Sequence, residues 1–295
     1  MHSAWPTDDR NLKCPSGLYV VATPIGNLED ITLRALKVLA TVDLIAAEDT
    51  RHTARLLTHY QIRTPLISCH EHNEHQRTVE LTDRIRGGES VALVTDAGTP
   101  TVSDPGYRVV SAAVSMGLKV FPIPGVSAAL TALSASGLAS DAFVFLGFAP
   151  KKKGRRMTLL ESLAAESRTL IFYESPRRII VFLDEIRSVM GDRQAVLARE
   201  LTKVYEEFIR GSLSEIHSSL AQRQEIKGEC TLLVCGAASE TVSEEELTAV
   251  LHQALAAPGA HISSLSKRIA NQYRLSRKTV YEMALAIQKQ NKEPH

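Results

Sequence analysis

Short apolar runs rich in β-branched residues alternate with longer amphipathic runs through the first part of the chain. The short runs predict strands at residues 18–23, 44–47, 65–68, 91–95 and 119–123. Apolar positions at helical spacing predict helices at residues 30–42, 53–60, 78–86 and 108–116. Strands that alternate with helices are joined by parallel crossovers, so this part predicts an α/β sheet with helices on both faces.

A second α/β region follows the Pro- and Gly-containing turn at residues 122–125. Its apolar runs predict strands at residues 142–148, 169–173, 195–198 and 231–235. A stripe of apolar side chains from Ile179 to Met190 predicts a helix over residues 177–190. The C-terminal part has no strand pattern and predicts three helices, at residues 247–255, 263–272 and 276–288.

These patterns divide the chain into a flexible tail and three domains. The tail is predicted at residues 1–15, because it is polar and contains two prolines. The predicted domains are an α/β domain at 16–124, a second α/β domain at 125–238 and a small helical domain at 243–295. The polar segment 239–244 is predicted to link the last two.

Composition and charge narrow the class of protein. The 295 residues include 34 Lys and Arg against 33 Asp and Glu, a formal net charge of +1, which argues against a protein that coats nucleic acid by bulk charge. The 4 cysteines fit no zinc spacing and are expected to be plain thiols in a reducing compartment. Because the sequence shows neither a signal-peptide pattern nor a membrane-length apolar run, we expect a cytoplasmic protein.

Gly, Pro and polar residues concentrate directly after four of the predicted strands. These segments are residues 22–30, 48–51, 95–106 and 122–127. One such segment would be a tight turn, but four at the same sheet edge predict a ligand pocket lined mainly by backbone. The segments lack the G-x-G-x-x-G and G-x-x-x-x-G-K-[ST] phosphate-binding patterns, and Pro24 removes a donor that a phosphate would need. A ligand with an adenine, a ribose and a zwitterionic tail but no phosphates fits better.

Several motifs together resemble the tetrapyrrole methylase superfamily and, more narrowly, its branch of methyltransferases for small-subunit ribosomal RNA. The motifs that follow the first-domain strands are TPIGNLEDIT at 23–32, AEDTR at 47–51, SCHEHNE at 68–74, DAGTP at 96–100, DPGY at 104–107 and PG at 124–125. Those of the second region are GFAP at 147–150, FYES at 172–175, ARELTK at 198–203 and KGE at 227–229. The resemblance covers residues 18–236 and, more loosely, the C-terminal helices.

The resemblance implies two α/β domains with S-adenosyl-L-methionine bound in the cleft between them, and a homodimer. The activity it implies is methylation of the ribose 2′-hydroxyl of a cytidine in the decoding region of 16S ribosomal RNA. By motif, the expected cofactor-binding residues are Pro24, Ile25, Gly26, Asp96, Gly98, Thr99, Val102, Gly125, Val126, Tyr173, Ala198 and Glu229.

Methyl transfer to a hydroxyl asks for a positioned acceptor oxygen and a group that takes its proton. Possible proton acceptors are Glu48, Asp49, His70, His72 and Glu174, and we favour the 48–51 turn with the 70–73 segment, because both follow strands at the ligand edge. The predicted catalytic residues are Glu48, Asp49, Arg51, His70, His72, Asn73 and Lys203, with the two cations expected to bind a phosphate or to lower the pKa of the hydroxyl. The alternative for Glu48 and Arg51 is a structural ion pair that fixes the turn.

The run HEHNEH at 70–75 also offers ligands for a metal. A strand end splits its side chains between two sides, and no second cluster in the sequence completes a site. The sequence therefore favours a polar substrate loop and no metal.

Two basic segments point to RNA. Residues 151–156 are predicted to form a loop that contacts phosphates through Lys151, Lys152, Lys153, Arg155 and Arg156, unless the loop is merely solvated. Residues 262–281 resemble a helix-turn-helix and contribute the candidate RNA-binding residues Lys267, Arg268, Arg274, Arg277 and Lys278. The alternative is a helical bundle that only stabilises the chain or the dimer.

Three functions from two classes fit these patterns. The first is the RNA 2′-O-methyltransferase, with 16S ribosomal RNA or the small subunit as partner. The second is a methyltransferase of a small precorrin-type tetrapyrrole, which would need neither basic segment. The third is a non-catalytic nucleic-acid-binding regulator, which would need no cleft.

Overall fold

The computed structural model describes residues 13–237, 244–255, 261–273 and 276–290. Most of the predicted tail, all but the last residue of the predicted linker, and Arg274 lie outside these residues. The chain separates into two compact units: Met1–Ala164 with Arg168–Cys235, and Ala165–Ser167 with Gly236–His295. Both sheets belong to the first unit.

The first sheet is entirely parallel, with strand order β3-β2-β4-β1-β5. Its strands are β1 (Gly17–Val21), β2 (Leu44–Ala47), β3 (Leu66–Ser68), β4 (Ser90–Val94) and β5 (Val120–Ile123). Its helices are α1 (Leu33–Thr41), α2 (Thr50–His59), α3 (Glu74–Arg86) and α4 (Tyr107–Ser115). The alternating pattern therefore predicted every element of this sheet correctly, with shifts only at the ends.

Helices cover both faces of the first sheet. Successive strand residues point to opposite faces, so Tyr19 packs among α1 and α2, while its neighbour Leu18 packs among α3 and α4. The central strands β2, β4 and β1 bury almost every side chain, as expected when both faces are covered, whereas the edge strands β3 and β5 are only partly buried. This layering leaves the carboxyl edge of the sheet, where the polar loops begin, as the place open to a ligand.

The second sheet is mixed and has the order β6-β7-β10-β8-β9. Only β6 and β7 are parallel, and the other neighbours are antiparallel. Its strands are β6 (Phe143–Phe148), β7 (Thr169–Glu174), β8 (Gln194–Arg199), β9 (Glu207–Ser212) and β10 (Cys230–Val234). Helices α6 (Lys153–Ser162), α7 (Ile179–Met190) and α8 (Leu213–Ala221) pack on one face, and α5 (Ala128–Ser136) packs on the other.

Three features of this region depart from the sequence prediction, and the first is that helices α5, α6 and α8 were not predicted. Strand β9 was not predicted, because it is a half-buried edge strand whose sequence EFIRGS contains no continuous apolar run. The basic segment predicted as a loop, residues 151–156, lies mostly in a helix, since α6 begins at Lys153.

The second unit contains the predicted three helices, α9 (Glu244–Leu255), α10 (Ile262–Tyr273) and α11 (Arg277–Gln290). They bury a small apolar core of their own that includes Leu251, Ile269, Val280 and Ala284. Within the described part of the chain, none of the helices combines the length and the hydrophobicity that a membrane crossing requires.

Candidate active site

A cleft of about 370 Å³ lies at the carboxyl edge of the first sheet. Loops after four parallel strands line one side of it, through Ile25 after β1, Glu48 after β2, residues 96–104 after β4 and Ser127 after β5. The second sheet lines the other side through Phe148, residues 173–176, Leu201 and residues 228–231. The four segments singled out in the sequence thus meet in one cleft.

Backbone and hydroxyl groups tie three of these loops together. Thr23 and Gly98 exchange two backbone hydrogen bonds, at 2.9 and 3.0 Å, so the β1 and β4 loops form an isolated antiparallel bridge. The Thr99 hydroxyl donates to the Val126 carbonyl at 3.0 Å and holds the β5 loop against the β4 loop. Gly98 has φ +83°, a conformation that favours glycine. The cleft wall is therefore fixed before any ligand binds.

The predicted cofactor-binding residues fall into two groups. The residues that line the cleft are Ile25, Asp96, Gly98, Thr99, Val102, Tyr173 and Glu229. Those that do not are Pro24, Gly26, Gly125, Val126 and Ala198.

The second group supports the cleft from behind. A Cβ at Gly26 would lie 2.5 Å from the Lys203 side chain, and one at Gly125 would lie 2.8 Å from Ala22. Ala198 is buried in the apolar layer beneath the cleft. These positions need small residues for packing, and their contact with a ligand stays a prediction.

Glu48 is the predicted catalytic residue that faces the cleft. Its carboxylate accepts a 3.4 Å hydrogen bond from the Asp96 backbone N–H, and the Asp96 carboxylate accepts one of 3.1 Å from Asp49 N–H. Burial raises the pKa of Glu48, and the hydrogen bond from the Asp96 backbone N–H offsets part of that rise. The two acidic side chains therefore cross-connect the ends of β2 and β4.

The ion pair considered for Glu48 and Arg51 is instead formed by Asp49 and Arg51, at 2.7 Å. Asp49 caps α2, because its carboxylate also accepts from Arg51 N–H at 2.8 Å. The hydrogen bonds from Arg51 hold the pKa of Asp49 well below its usual range. The structural interpretation of this turn is correct for Asp49, whereas Glu48 forms no ion pair within the described chain.

The segment after β3 places its polar side chains differently from the prediction. Asn73 shapes the turn, because its side-chain oxygen accepts from His70 N–H at 2.8 Å and its amide donates to Ser68. The His70 Nδ1 atom is buried without a hydrogen-bond partner in the described residues, and the His72 ring is exposed. Neither imidazole lines the cleft.

Lys203 stands beside the cleft on the loop after β8. Its ammonium group donates to Glu200 at 2.9 Å and to Glu229 at 3.0 Å. It therefore holds two loops of the second sheet together, which is a positioning role. Contact of Lys203 with a phosphate stays a prediction.

Three acidic residues have structural environments that the sequence analysis did not predict. Asp104 lines the cleft, and burial together with the negative charges of Glu48, Asp96 and Glu229 raises its pKa to about 7. Glu174 also lines the cleft and is 2% exposed. The sequence placed both in family motifs but gave no sign of their burial.

Glu74 is the third, and it connects two loops. Its buried carboxylate accepts from the backbone N–H groups of Gly106 and Arg108, at 3.0 Å each. These bonds satisfy free donors at the start of α4 and anchor the end of the long β4 loop.

Backbone strain is concentrated around the cleft. Thr101 and Ser103 in the β4 loop have φ 74° and 65°, and Glu200 and Thr202 after β8 have φ 52° and 63°. Non-glycine residues rarely adopt such angles, and they persist where surrounding contacts enforce them, commonly at functional sites.

The basic segment 151–156, at the start of α6, divides into exposed and buried residues. Lys151, Lys152, Lys153 and Arg155 are exposed, but Arg156 is 8% exposed and forms an ion pair with Glu185 of α7. The prediction that Arg156 contacts RNA is therefore wrong, because its guanidinium group is used inside the protein. Helical spacing turns this one basic residue inward.

The other candidate RNA-binding residues that the structure describes are Lys267 and Arg268 on α10 and Arg277 and Lys278 on α11, and all four are exposed. Arg277 also donates to Ser263 at 3.0 Å. As for a metal, no group of three or more His, Cys, Asp or Glu side chains suited to hold one occurs among the residues described.

The fold and the cleft define a class of protein. The tetrapyrrole (corrin/porphyrin) methylase family matches residues 17–217, and the chain belongs to this family. Solved structures agree in fold: the uroporphyrin-III-C-methyltransferase of Thermus thermophilus has a TM-score of 0.55 at 20% identity, covering 75% of this chain and 94% of that one. A structure of that enzyme with S-adenyl homocysteine has a TM-score of 0.53 at 19% identity and covers 74% and 96% of the two chains.

Closer relatives are more specific. Ribosomal RNA small subunit methyltransferase I of Synechocystis sp. is 47% identical over 275 residues, which are 92% of this chain and 98% of that protein. The protein of the same name from Pseudomonas aeruginosa is 51% identical over 221 residues, 74% of this chain and 78% of that one. The family resemblance inferred from the motifs is confirmed.

Proposed function

We propose that this chain is an S-adenosyl-L-methionine-dependent methyltransferase of 16S ribosomal RNA, and that it methylates the ribose 2′-hydroxyl of a cytidine in the decoding region. The observation that carries the proposal is 47% identity, over 92% of the chain, to a ribosomal RNA small subunit methyltransferase I. The cleft supports it, because the loops that form it are those whose motifs carry the resemblance.

The cleft lining fits this cofactor. Its apolar residues Ile25, Val102 and Leu201 suit an adenine, and its acidic residues suit the ammonium and sulfonium charges. The lining contains no Lys or Arg side chain that would select a phosphate. When bound, the cofactor supplies a methyl group on a positively charged sulfur, which leaves as a neutral thioether.

The protein's own residues would position the acceptor oxygen and take its proton. Holding the reacting atoms about 3 Å apart supplies much of the rate in such a displacement. Glu48 faces the cleft from the end of β2, and its raised pKa makes it a better proton acceptor than an exposed carboxylate. Asp96 N–H and the Thr23–Gly98 bridge keep Glu48 and the cofactor loops in place.

RNA contact is assigned to the exposed cations. Lys151, Lys152, Lys153 and Arg155 follow β6, whose last residue, Phe148, lines the cleft. Cations at this position suit the phosphates that flank a target nucleotide, and the exposed basic residues of α10 and α11 suit backbone contact elsewhere on the RNA.

The test incubates the protein with methyl-labelled S-adenosylmethionine and small ribosomal subunits that lack the modification. We expect label in 16S ribosomal RNA at a cytidine whose 3′-phosphodiester bond becomes resistant to alkaline cleavage, because its 2′-oxygen is methylated. Label in a precorrin-type tetrapyrrole, with none in RNA, would establish the small-molecule alternative. Tight RNA binding without turnover on any substrate would support the non-catalytic nucleic-acid-binding regulator instead.

A homodimer and a cytoplasmic location complete the proposal. Both follow from the function, since family members pair and ribosomal subunits are assembled in the cytoplasm. Light scattering should give about twice the 32.3 kDa mass of one chain. A mass of one chain at micromolar concentration would contradict the dimer.

A further inference from the structure

Among the residues that the structure describes, those lining the cleft include five carboxylates and no basic side chain. These acidic residues are Glu48, Asp96, Asp104, Glu174 and Glu229. Two of them have cationic partners: Glu174 pairs with Arg178 at 2.7 Å, and Glu229 pairs with Lys203 at 3.0 Å. Within the described part of the chain the other three form no ion pair, so negative charge predominates in the cleft.

The two carboxylate oxygens of Glu174, a residue of the cleft lining, differ in their hydrogen bonds. One carboxylate oxygen, Oε1, accepts from Ser175 N–H at 2.7 Å and from Arg178 Nε at 2.8 Å. The other, Oε2, is buried and has no hydrogen-bond partner among the described residues. Buried acceptors are rarely left unpaired, and this one belongs to a residue of the cleft lining.

Asp104 shows how strongly the cleft resists a further negative charge. Its carboxylate has neither a hydrogen bond nor an ion pair within the described chain, and it meets Glu48 and Asp96 of the first sheet's loops and Glu229 of the second sheet, with Tyr173 also nearby. A positive charge in the same space would be attracted by each of these carboxylates, and burial weakens the screening by water.

We propose that the acidic wall of the cleft selects the charged methyl donor over the product of the reaction. The proposal rests on the proposed function. Methyl transfer breaks the bond between the methyl carbon and the sulfur, and the electron pair stays on sulfur. The hydroxyl oxygen bonds the carbon and passes its proton to Glu48, which returns it to solvent. The cofactor therefore loses one positive charge, and with it the attraction of the wall.

The physical consequence concerns product release. Once the proton has left Glu48, a neutral thioether in the cleft leaves Glu48, Asp96 and Asp104 to repel one another again, so S-adenosylhomocysteine is bound more weakly than S-adenosylmethionine. The wall thus drives exchange of product for substrate without any change of conformation. The determinant is charge, because the adenine, the ribose and the amino acid tail are common to both compounds.

Calorimetric titration of the full chain at pH 8.5 tests this proposal with three compounds. S-adenosylmethionine and sinefungin, which carries an amine-bearing carbon in place of the sulfonium, are cationic at the reacting centre, whereas S-adenosylhomocysteine is neutral there. We expect the two cations to bind more tightly by about tenfold, as expected for one partly screened charge pair. Asp104→Asn should remove most of that preference by weakening the cations while leaving S-adenosylhomocysteine unchanged.

Two further variants distinguish an effect of charge on ligand affinity from an effect on folding. Asp96→Asn keeps an acceptor for Asp49 N–H and should lower the preference in the same direction. Asp141→Asn, at an exposed position outside the cleft, should leave all three affinities unchanged. A melting curve for each variant checks that it folds.

Proton release gives an independent measurement. Near pH 7, titrations in buffers of different ionisation enthalpy should show that S-adenosylmethionine releases more protons than S-adenosylhomocysteine, because a bound cation lowers the pKa of Asp104. Equal affinity of wild-type protein for all three compounds, or an equal effect of Asp104→Asn on all three, would overturn this inference alone. Failure of all three compounds to bind would overturn the proposed function as well.

Discussion

At the scale of single residues, the surroundings of individual carboxylates move their pKa values apart, both in the cleft and outside it. Asp104 has its pKa raised to about 7 by burial and like charges. Glu207 on β9 has its pKa lowered to about 2, because Arg223 and then Arg199 hydrogen-bond to it. The two groups should therefore affect stability with opposite dependence on pH.

Asp104→Asn should stabilise the protein at pH 8 and have little effect near pH 4. Between its usual pKa and about 7, the folded protein holds the Asp104 proton more tightly than the unfolded chain, so stability falls as pH rises through this range. Since the side chain is partly solvated, we expect a gain of about 1–2 kcal/mol at pH 8, a rise in melting temperature of a few degrees. Thermal melts at the two pH values measure it.

Glu207→Gln should change the stability of the protein with the opposite dependence on pH. The stability that Glu207 contributes is present above its ordinary pKa and is lost as pH falls toward about 2. The variant should therefore melt lower than wild type at pH 7, and the two should converge in acid. If Asp104→Asn and Glu207→Gln changed the melting temperature with the same dependence on pH, the directions assigned to both pKa shifts would be contradicted.

Gly98→Val should abolish cofactor binding. A Cβ at Gly98 has room, with Ile25 Cγ2 at 3.7 Å, but φ +83° strains a β-branched residue, and the larger side chain enters the cleft beside Ile25. Calorimetric titration with S-adenosylmethionine measures the loss. The matched control is Gly117→Val, which meets similar strain at φ +68° in the turn after α4, away from the cleft. An unchanged affinity in Gly98→Val would refute its placement.

At the scale of elements, the contact between α6 and α7 includes a buried ion pair. Arg156 donates to Glu185 at 2.5 and 2.8 Å and also to the carbonyls of Pro150 and Lys151. One guanidinium group thereby fixes the start of α6 and the exposed lysines that precede it. Its role is to position the basic segment.

Arg156→Met should destabilise the protein by about 3–5 kcal/mol, because Glu185 is left buried without a partner. Adding Glu185→Leu to this variant should recover most of the loss, since two apolar side chains of similar volume replace a desolvated pair. Urea denaturation measures both. Arg155→Ala, one residue away and exposed, should change the free energy of unfolding by less than about 0.5 kcal/mol. A decrease below about 1 kcal/mol in Arg156→Met would contradict the buried pair.

Sequence patterns succeeded at this scale where one element is internally periodic. The parallel strands are short apolar runs, and α7 carries a clear apolar stripe, so both were predicted to within a few residues. β9 was not predicted, because it is a half-buried edge strand that is held by pairing with β8. Its own sequence contains no pattern that indicates this pairing.

At the scale of the whole molecule, a net charge of +1 conceals a separation of charge. The cleft lining is acidic, whereas the approach to α6 and the exposed surfaces of α10 and α11 are basic. A near-neutral total is therefore compatible with a protein that attracts a cationic cofactor at one place and RNA phosphates at others.

Replacing Lys151, Lys152 and Lys153 with Ala should weaken RNA binding and reduce its dependence on salt. Each lysine that neutralises a phosphate steepens the slope of log affinity against log salt by about 0.7–0.9, so removing all three should make the slope shallower by about 2. Filter binding of small-subunit RNA over a range of salt concentrations measures the slope. The control replaces Arg63, Arg86 and Lys119, which are exposed cations elsewhere on the first unit. If the two triple variants had the same slope, the three lysines would be solvated and would not contact RNA phosphates.

The sequence by itself determined the strands of both sheets except β9, three C-terminal helices and the four loops that meet at the cleft, because periodicity and turn residues act over short stretches of chain. It also determined the family, through motifs that sit in those loops. Only the tertiary structure decided that Asp104 meets Glu48 and Asp96, that Glu174 keeps an unpaired oxygen, and that Arg156 is buried. Those outcomes depend on strand order and helix packing, which bring together residues far apart in the chain, and no local pattern encodes the charge or burial that results.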